Sequence, residues 1–164
     1  MEKADKGVDK MNSTVKRIFF LLPGLIFVNV VFSQERIVDR CVDFIGRAVP
    51  KGFSMQDRTT YSGNIIDDYG DEHNVQLLVK NGLVYASAYG AIAEYTHEAT
   101  EWLSQFYVYF ENGNWIFSEE DSSREEDVYI NGNIYAIIMS PFKRDDGMIV
   151  AIIIFTKEEY MDMF

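Results

Sequence analysis

The residues most able to do chemistry are carboxylates and two histidines. Asp67, Asp68, Asp71 and Glu72 crowd around Gly70, and hard oxygen donors about a tight turn suit a calcium ion. The spacing departs from an EF-hand loop, because the acids do not alternate and no Glu stands at the twelfth position. A second grouping, His97-Glu98-Ala99-Thr100-Glu101, is similar to the H-E-x-x-H zinc helix, but Glu101 occupies the place of the second histidine. Asp71, His73, His97 and Glu101 together define a metal-assisted hydrolytic alternative, which requires the acidic loop and the histidine segment to meet.

Other catalytic constellations are missing from the sequence. There is no G-x-S-x-G, no glycine-rich phosphate loop, two histidines and one cysteine, Cys41. Nucleophilic catalysis therefore lacks its paired base and nucleophile. Carboxylate pairs are available everywhere in so acidic a chain and single out no glycosidase geometry. The sequence implies no cofactor and favours a non-enzymatic role.

Two features point to binding. Residues 81–142 carry ten acids against the single base Arg124, a net charge of −9. The acids concentrate in Glu119, Glu120, Asp121, Glu125, Glu126 and Asp127, a run that stays solvated and can steer a basic protein partner. The second feature is Tyr107 and Tyr109, read as the outer face of a strand, since tyrosine offers apolar area and a hydroxyl to a partner or small ligand.

The elements that would position these groups follow from periodicity. In residues 34–49, Ile37, Cys41, Phe44, Ile45 and Ala48 recur at helical spacing with Asp39, Arg40, Asp43 and Arg47 opposite, predicting an amphipathic helix that stops at Pro50. Cys41 lies on its apolar face and reads as a buried hydrophobe. Residues 91–104 predict a second helix, with Ala91, Tyr95, Ala99, Trp102 and Leu103 on one side.

Asn-Gly between strand-like runs specifies a two-residue turn, and it occurs at Asn81-Gly82, Asn112-Gly113 and Asn131-Gly132. The second of these would set Phe110 opposite Trp115, Tyr109 opposite Ile116 and Val108 opposite Phe117. The third would set Tyr129 beside Ile134 and Val128 beside Tyr135. A fourth, longer connection at 143–147 leads into 148–155, apolar on both faces and hence central in its sheet. The fold class is α+β: an antiparallel sheet of hairpins with an N-terminal helix and one intervening helix packed on one face.

The sequence has 164 residues and a net charge of −11, enough for one globular domain. Such acidity argues against a nucleic-acid partner. Residues 18–32 form an apolar run after Lys16-Arg17 and before Ser33-Gln34, the order of a signal peptide. The expectation is a leader over 1–33, cut near Ser33/Gln34, with an alternative start at Met11. A single α+β domain over 34–164 would then act in the periplasm or outside the cell, its 131 residues holding ten basic and 23 acidic groups, net −13. The run is shorter than the roughly 20 apolar residues of a membrane-spanning helix; membrane attachment follows only if it is retained.

Overall fold

A computed structural model describes residues 34–66 and 70–164. The leader expected over 1–33, and Asp67 and Asp68 of the acidic loop, lie outside the described residues. The order is α1 (Gln34–Phe44), β1 (Ser54–Met55), β2 (Thr60–Ile66), β3 (Glu72–Lys80), β4 (Leu83–Ala93), α2 (Thr96–Asn112), β5 (Ile116–Phe117), β6 (Glu126–Asn131), β7 (Ile134–Lys143), β8 (Ile149–Lys157) and a 3₁₀ segment, Glu158–Met163. One antiparallel sheet runs β1-β2-β3-β4-β8-β7-β6-β5. The class is thus mixed α+β, dominated by sheet. A helix followed by a four-strand meander occurs twice, and the two meanders join along β4 and β8.

Side-chain alternation sorts the core into two sets. Ile149, Ala151, Ile153 and Phe155 of β8 belong with Val75, Leu77 and Tyr89, and with Ile37, Val38 and Cys41 of α1 and Ala99, Leu103, Phe106 and Phe110 of α2. Val150, Ile152 and Ile154 belong with Leu78, Tyr85, Ala88, Ile137 and Met139, against which Tyr160, Met161, Met163 and Phe164 of the chain's end pack. β8 is apolar on both faces because it lies between β4 and β7 with both faces covered.

The first helix is shorter than its periodicity predicts. Gly46 takes φ +82°, the left-handed stop that glycine adopts without strain. Its N–H then donates to Val84 O at 2.8 Å, and Val84 N–H donates to Arg47 O at 2.8 Å. The chain leaves the helix to pair with β4 before Ile45 and Ala48 can extend the stripe.

The largest correction concerns residues 106–112, which are helical. Ala99, Leu103, Phe106 and Phe110, at offsets of zero, four, seven and eleven, are the buried residues of α2, whereas Val108 is 59% exposed. The aromatic run has high strand propensity, yet the stripe continuing from Ala99 gives those rings a core to enter, and burial overrides propensity. Asn112 donates its side-chain N–H to Val108 O at 2.8 Å, and Gly113 has φ −93°. Asn112-Gly113 therefore ends a helix; it turns no hairpin, and the pairings expected of Phe110, Tyr109 and Val108 do not exist.

The other two Asn-Gly pairs do turn hairpins. Asn81 and Gly82 have φ +55° and +80°, the paired positive values of a type I′ turn, with Lys80 opposite Leu83. At the third site Asn131 pairs with Ile134, so the loop residues are Gly132 and Asn133, and only Gly132 has positive φ. The turn moves by one residue and the pairing therefore by two: Tyr129 faces Ala136 and Val128 faces Ile137. The pairing shifts between Leu78 and Val79 leave Tyr85 as an extra residue on β4. This bulge turns Tyr85 to the opposite set from Tyr89, and Thr156 Oγ1 holds it by donating to Tyr85 O at 2.9 Å.

Phe110 and Val108 would share a face in a strand and oppose each other in a helix. Phe110→Ala is expected to cost about 3–5 kcal/mol and Val108→Ala less than about 0.5 kcal/mol, measured by urea unfolding. Comparable losses would restore the strand.

Candidate functional site

The acidic run connects β5 to β6, and four serines shape the region. Ser118 N–H donates to Val128 O at 2.9 Å, and Ser118 Oγ donates to Asp121 Oδ2 at 2.7 Å. Ser122 Oγ donates to Ser118 O at 2.5 Å and accepts Val128 N–H at 3.0 Å. Ser123 N–H reaches Glu126 O at 2.8 Å, while Glu125 O accepts from Ser140 N–H at 2.7 Å. The backbone is tied at both ends, which is more order than a self-repelling charge run predicts.

This frame divides the six acids. Glu119, Glu120, Asp121 and Glu125 are exposed, whereas Glu126 and Asp127 open β6 and are half-buried. Burial, reinforced by neighbouring Glu125, pushes the Glu126 carboxyl above its ordinary value. Asp127 accepts a hydrogen bond from Tyr107 Oη at 2.6 Å. The structure thus joins two of the expected contact residues while moving Tyr107 and Tyr109 from a strand to α2. Both tyrosines are half-buried. Burial, followed by the Asp127 bond, pushes the Tyr107 phenol far above its ordinary value.

Beside this turn lies the end of the sheet. β5 is the terminal strand and pairs only through Ile116 with Ile130 and Phe117 with Tyr129. Ile116 is 72% exposed and Phe117 45%, an apolar edge followed directly by Glu119, Glu120 and Asp121.

The metal alternative is spread over separate environments. His73 Nδ1 lies 3.0 Å from Tyr89 Oη, half-buried in β3. His97 is exposed in the first turn of α2 and stacks on Tyr95 at 5.7 Å. Glu101 is exposed one turn later, and Asp71 is half-buried before β3. Among the described residues no three His, Cys, Asp or Glu side chains converge. Glu98 has a structural task, accepting the backbone N–H groups of Glu94 and Tyr95 at 3.1 and 3.2 Å at the start of α2.

Between α2 and the sheet the volume is filled by rings: Trp102 and Phe106 lie 4.7 Å apart, Phe110 and Trp115 5.0 Å, and Phe110 and Tyr129 5.1 Å. Cys41 is fully buried and its thiol is pushed up by desolvation, which leaves it inert. No helix among the described residues is long and apolar enough to cross a membrane.

One residue passed over in the sequence stands apart. Among the described residues the buried polar ones are Thr60, Gln76, Ser87 and Thr156. Thr60 Oγ1 donates to Asp57 Oδ2 at 3.2 Å, Ser87 Oγ to Cys41 O at 2.8 Å and Thr156 Oγ1 to Tyr85 O. Gln76 is 1% exposed, and neither atom of its amide has a partner among the described residues. Its signal in the sequence was a lone amide inside the apolar run Val75-Gln76-Leu77-Leu78-Val79.

Compared with known protein families, curated proteins and solved structures, the chain matches none.

Tyr107→Phe is expected to lower stability by about 1–2 kcal/mol at neutral pH, by loss of a charge-assisted bond. A tyrosine raised in the folded state contributes fully below pH 10, its ordinary value, and loses that contribution as pH climbs through the folded value. The difference between the two proteins should hold to about pH 10 and close above it; identical urea midpoints throughout would remove the bond. Gln76→Leu is expected to raise stability by about 1–3 kcal/mol, because it deletes an unsatisfied buried amide. A loss of that size would show that the amide is satisfied.

Proposed function

We propose that the chain is an exported, non-enzymatic binding module that receives a basic protein partner on the β5 edge and its acidic turn. Support for export comes from the basic, apolar and small-residue order of residues 16–34. In this reading the leader ends near Ser33 and the single domain 34–164 works in the periplasm or outside the cell. Both helices are taken to lie on one face of the sheet, a rigid backing for the exposed edge.

The observation that carries the reading is the contact between opposite kinds of surface at one place. Ile116 and Phe117 present exposed apolar area on a terminal strand, and Glu119, Glu120 and Asp121 follow on a turn whose backbone is already ordered. A terminal strand offers unpaired backbone to an incoming strand. The carboxylates select a cationic one and speed its approach. Order in the turn lowers the entropy cost of binding. Tyr107 contributes by anchoring Asp127 at the start of β6, which holds β5 against α2.

An extended peptide of alternating lysine and valine tests this directly. Nuclear magnetic resonance titration at low salt should shift the amides of residues 116–121 first. Replacing Glu119 and Glu120 by Gln and Asp121 by Asn should weaken binding by about tenfold, the difference shrinking as salt screens the charges. Unchanged affinity in that triple variant, or shifts centred elsewhere, would overturn the reading.

A further inference from the structure

We propose that the cationic strand received by the β5 edge is the β1 edge of a second copy of this chain, so that copies join head to tail into one continuous sheet. The inference rests on the reading of the β5 edge given above and names its partner.

β1 and β5 are the two ends of the sheet, each two residues long and paired on one side only. Their ladders leave the same groups open. Gln56 N–H donates to Thr60 O at 2.9 Å, so in the antiparallel alternation Met55, one residue back, turns its N–H and C=O away from β2. Ser118 N–H donates to Val128 O at 2.9 Å, and by the same alternation Phe117 turns its own pair away from β6. Met55 stands opposite Tyr61 and Phe117 opposite Tyr129. Tyr129 belongs to the core set that both helices join, and Tyr61 packs against that set. Met55 and Phe117 therefore project on the same face of the sheet, 64% and 45% exposed. Set opposite each other on antiparallel strands, they exchange two N–H···O bonds and bring two apolar side chains together.

Charge selects this pairing over the others. Lys51 and Arg58 flank β1, both exposed and without a carboxylate partner among the described residues. The acid between them, Asp57, is occupied by its own turn, accepting the N–H groups of Thr59 and Thr60 at 2.7 and 2.9 Å. β1 thus carries a positive margin in a chain of net charge −11. In the antiparallel register, residues before Met55 run beside residues after Phe117, which carries Lys51 toward Glu119, Glu120 and Asp121. Charged edges ordinarily guard a sheet against pairing. Here the two guards have opposite signs: β5 repels β5, β1 repels β1, and only the unlike edges attract. Two copies repel at long range, but that force is damped within about 8 Å at physiological salt, and paired strands lie closer, about 5 Å apart. A contact between two different patches leaves one free edge of each kind, so the assembly extends beyond a dimer.

Edges this short give a weak contact, with a Kd on the order of 0.1–1 mM. The test is sedimentation velocity of the full chain at physiological salt, from well below that range to its top, with ¹⁵N amide shifts followed in parallel. Average mass should rise past that of a dimer, and the amides of residues 54–56 and 116–118 should move together. Lys51→Glu with Arg58→Glu, and separately Glu119→Lys with Glu120→Lys, should each weaken self-association by about tenfold. An equimolar mixture of the two variants should restore it, because unlike edges are again present. A wild-type chain that stays monomeric, shifts centred away from both edges, variants that associate as wild type does, or a mixture that fails to recover would overturn the proposal. The lysine and valine peptide separates this proposal from the reading beneath it. Peptide binding at residues 116–121 by a chain that stays monomeric overturns the second copy as partner and leaves the β5 reading standing; failure of both removes that reading as well.

Discussion

Everything else in this protein is built outward from the pairing of β4 with β8. Eight residue pairs, from Ala86 with Thr156 to Ala93 with Ile149, join the two meanders there. The strands approach so closely at Gly90 that a Cβ atom would stand 2.7 Å from Ala151 O, and only glycine leaves that space. Because both faces of β8 are covered, its run from Ile149 to Phe155 contains no polar side chain. Two helix-and-meander units each half-cover a sheet; joined at this seam they share one core, which a single four-strand unit would lack.

Much of that plan was legible in residue pattern. The hairpin at Asn81-Gly82 demanded its turn chemistry, and the uninterrupted apolar run of β8 demanded an interior place. Residues 106–112 were not legible, and the reason is physical. Phe106, Tyr107, Val108, Tyr109 and Phe110 are apolar or aromatic at every position, so no period of two or of 3.6 is visible inside them. The deciding information lay upstream, in Ala99 and Leu103, whose spacing continues through Phe106 and Phe110. An Asn-Gly pair, persuasive elsewhere, served here only as a stop. The early end of α1 at Gly46 was similarly hidden, because it depends on hydrogen bonds to Val84, 38 positions away in the sequence.

The candidate site was legible as composition and illegible as geometry. The charge of Glu119 through Asp127 can be counted in the sequence. Its division into four exposed and two half-buried acids depends on the serine bonds, and the Tyr107–Asp127 contact depends on α2 being a helix. Gln76 illustrates the converse. A single amide in an apolar strand costs stability unless it is matched, and the sequence shows the residue but not the missing partner.

Native-state hydrogen exchange of the free protein tests the seam most directly. Amides of residues 88–92 and 151–155 should exchange only through global unfolding, with protection equal to the unfolding free energy measured by urea. Those of Ile116 and Phe117 should exchange through local opening and be orders of magnitude faster. Seam amides that exchange as quickly as the β5 edge, or two meanders that lose protection independently, would contradict the shared core on which the account rests.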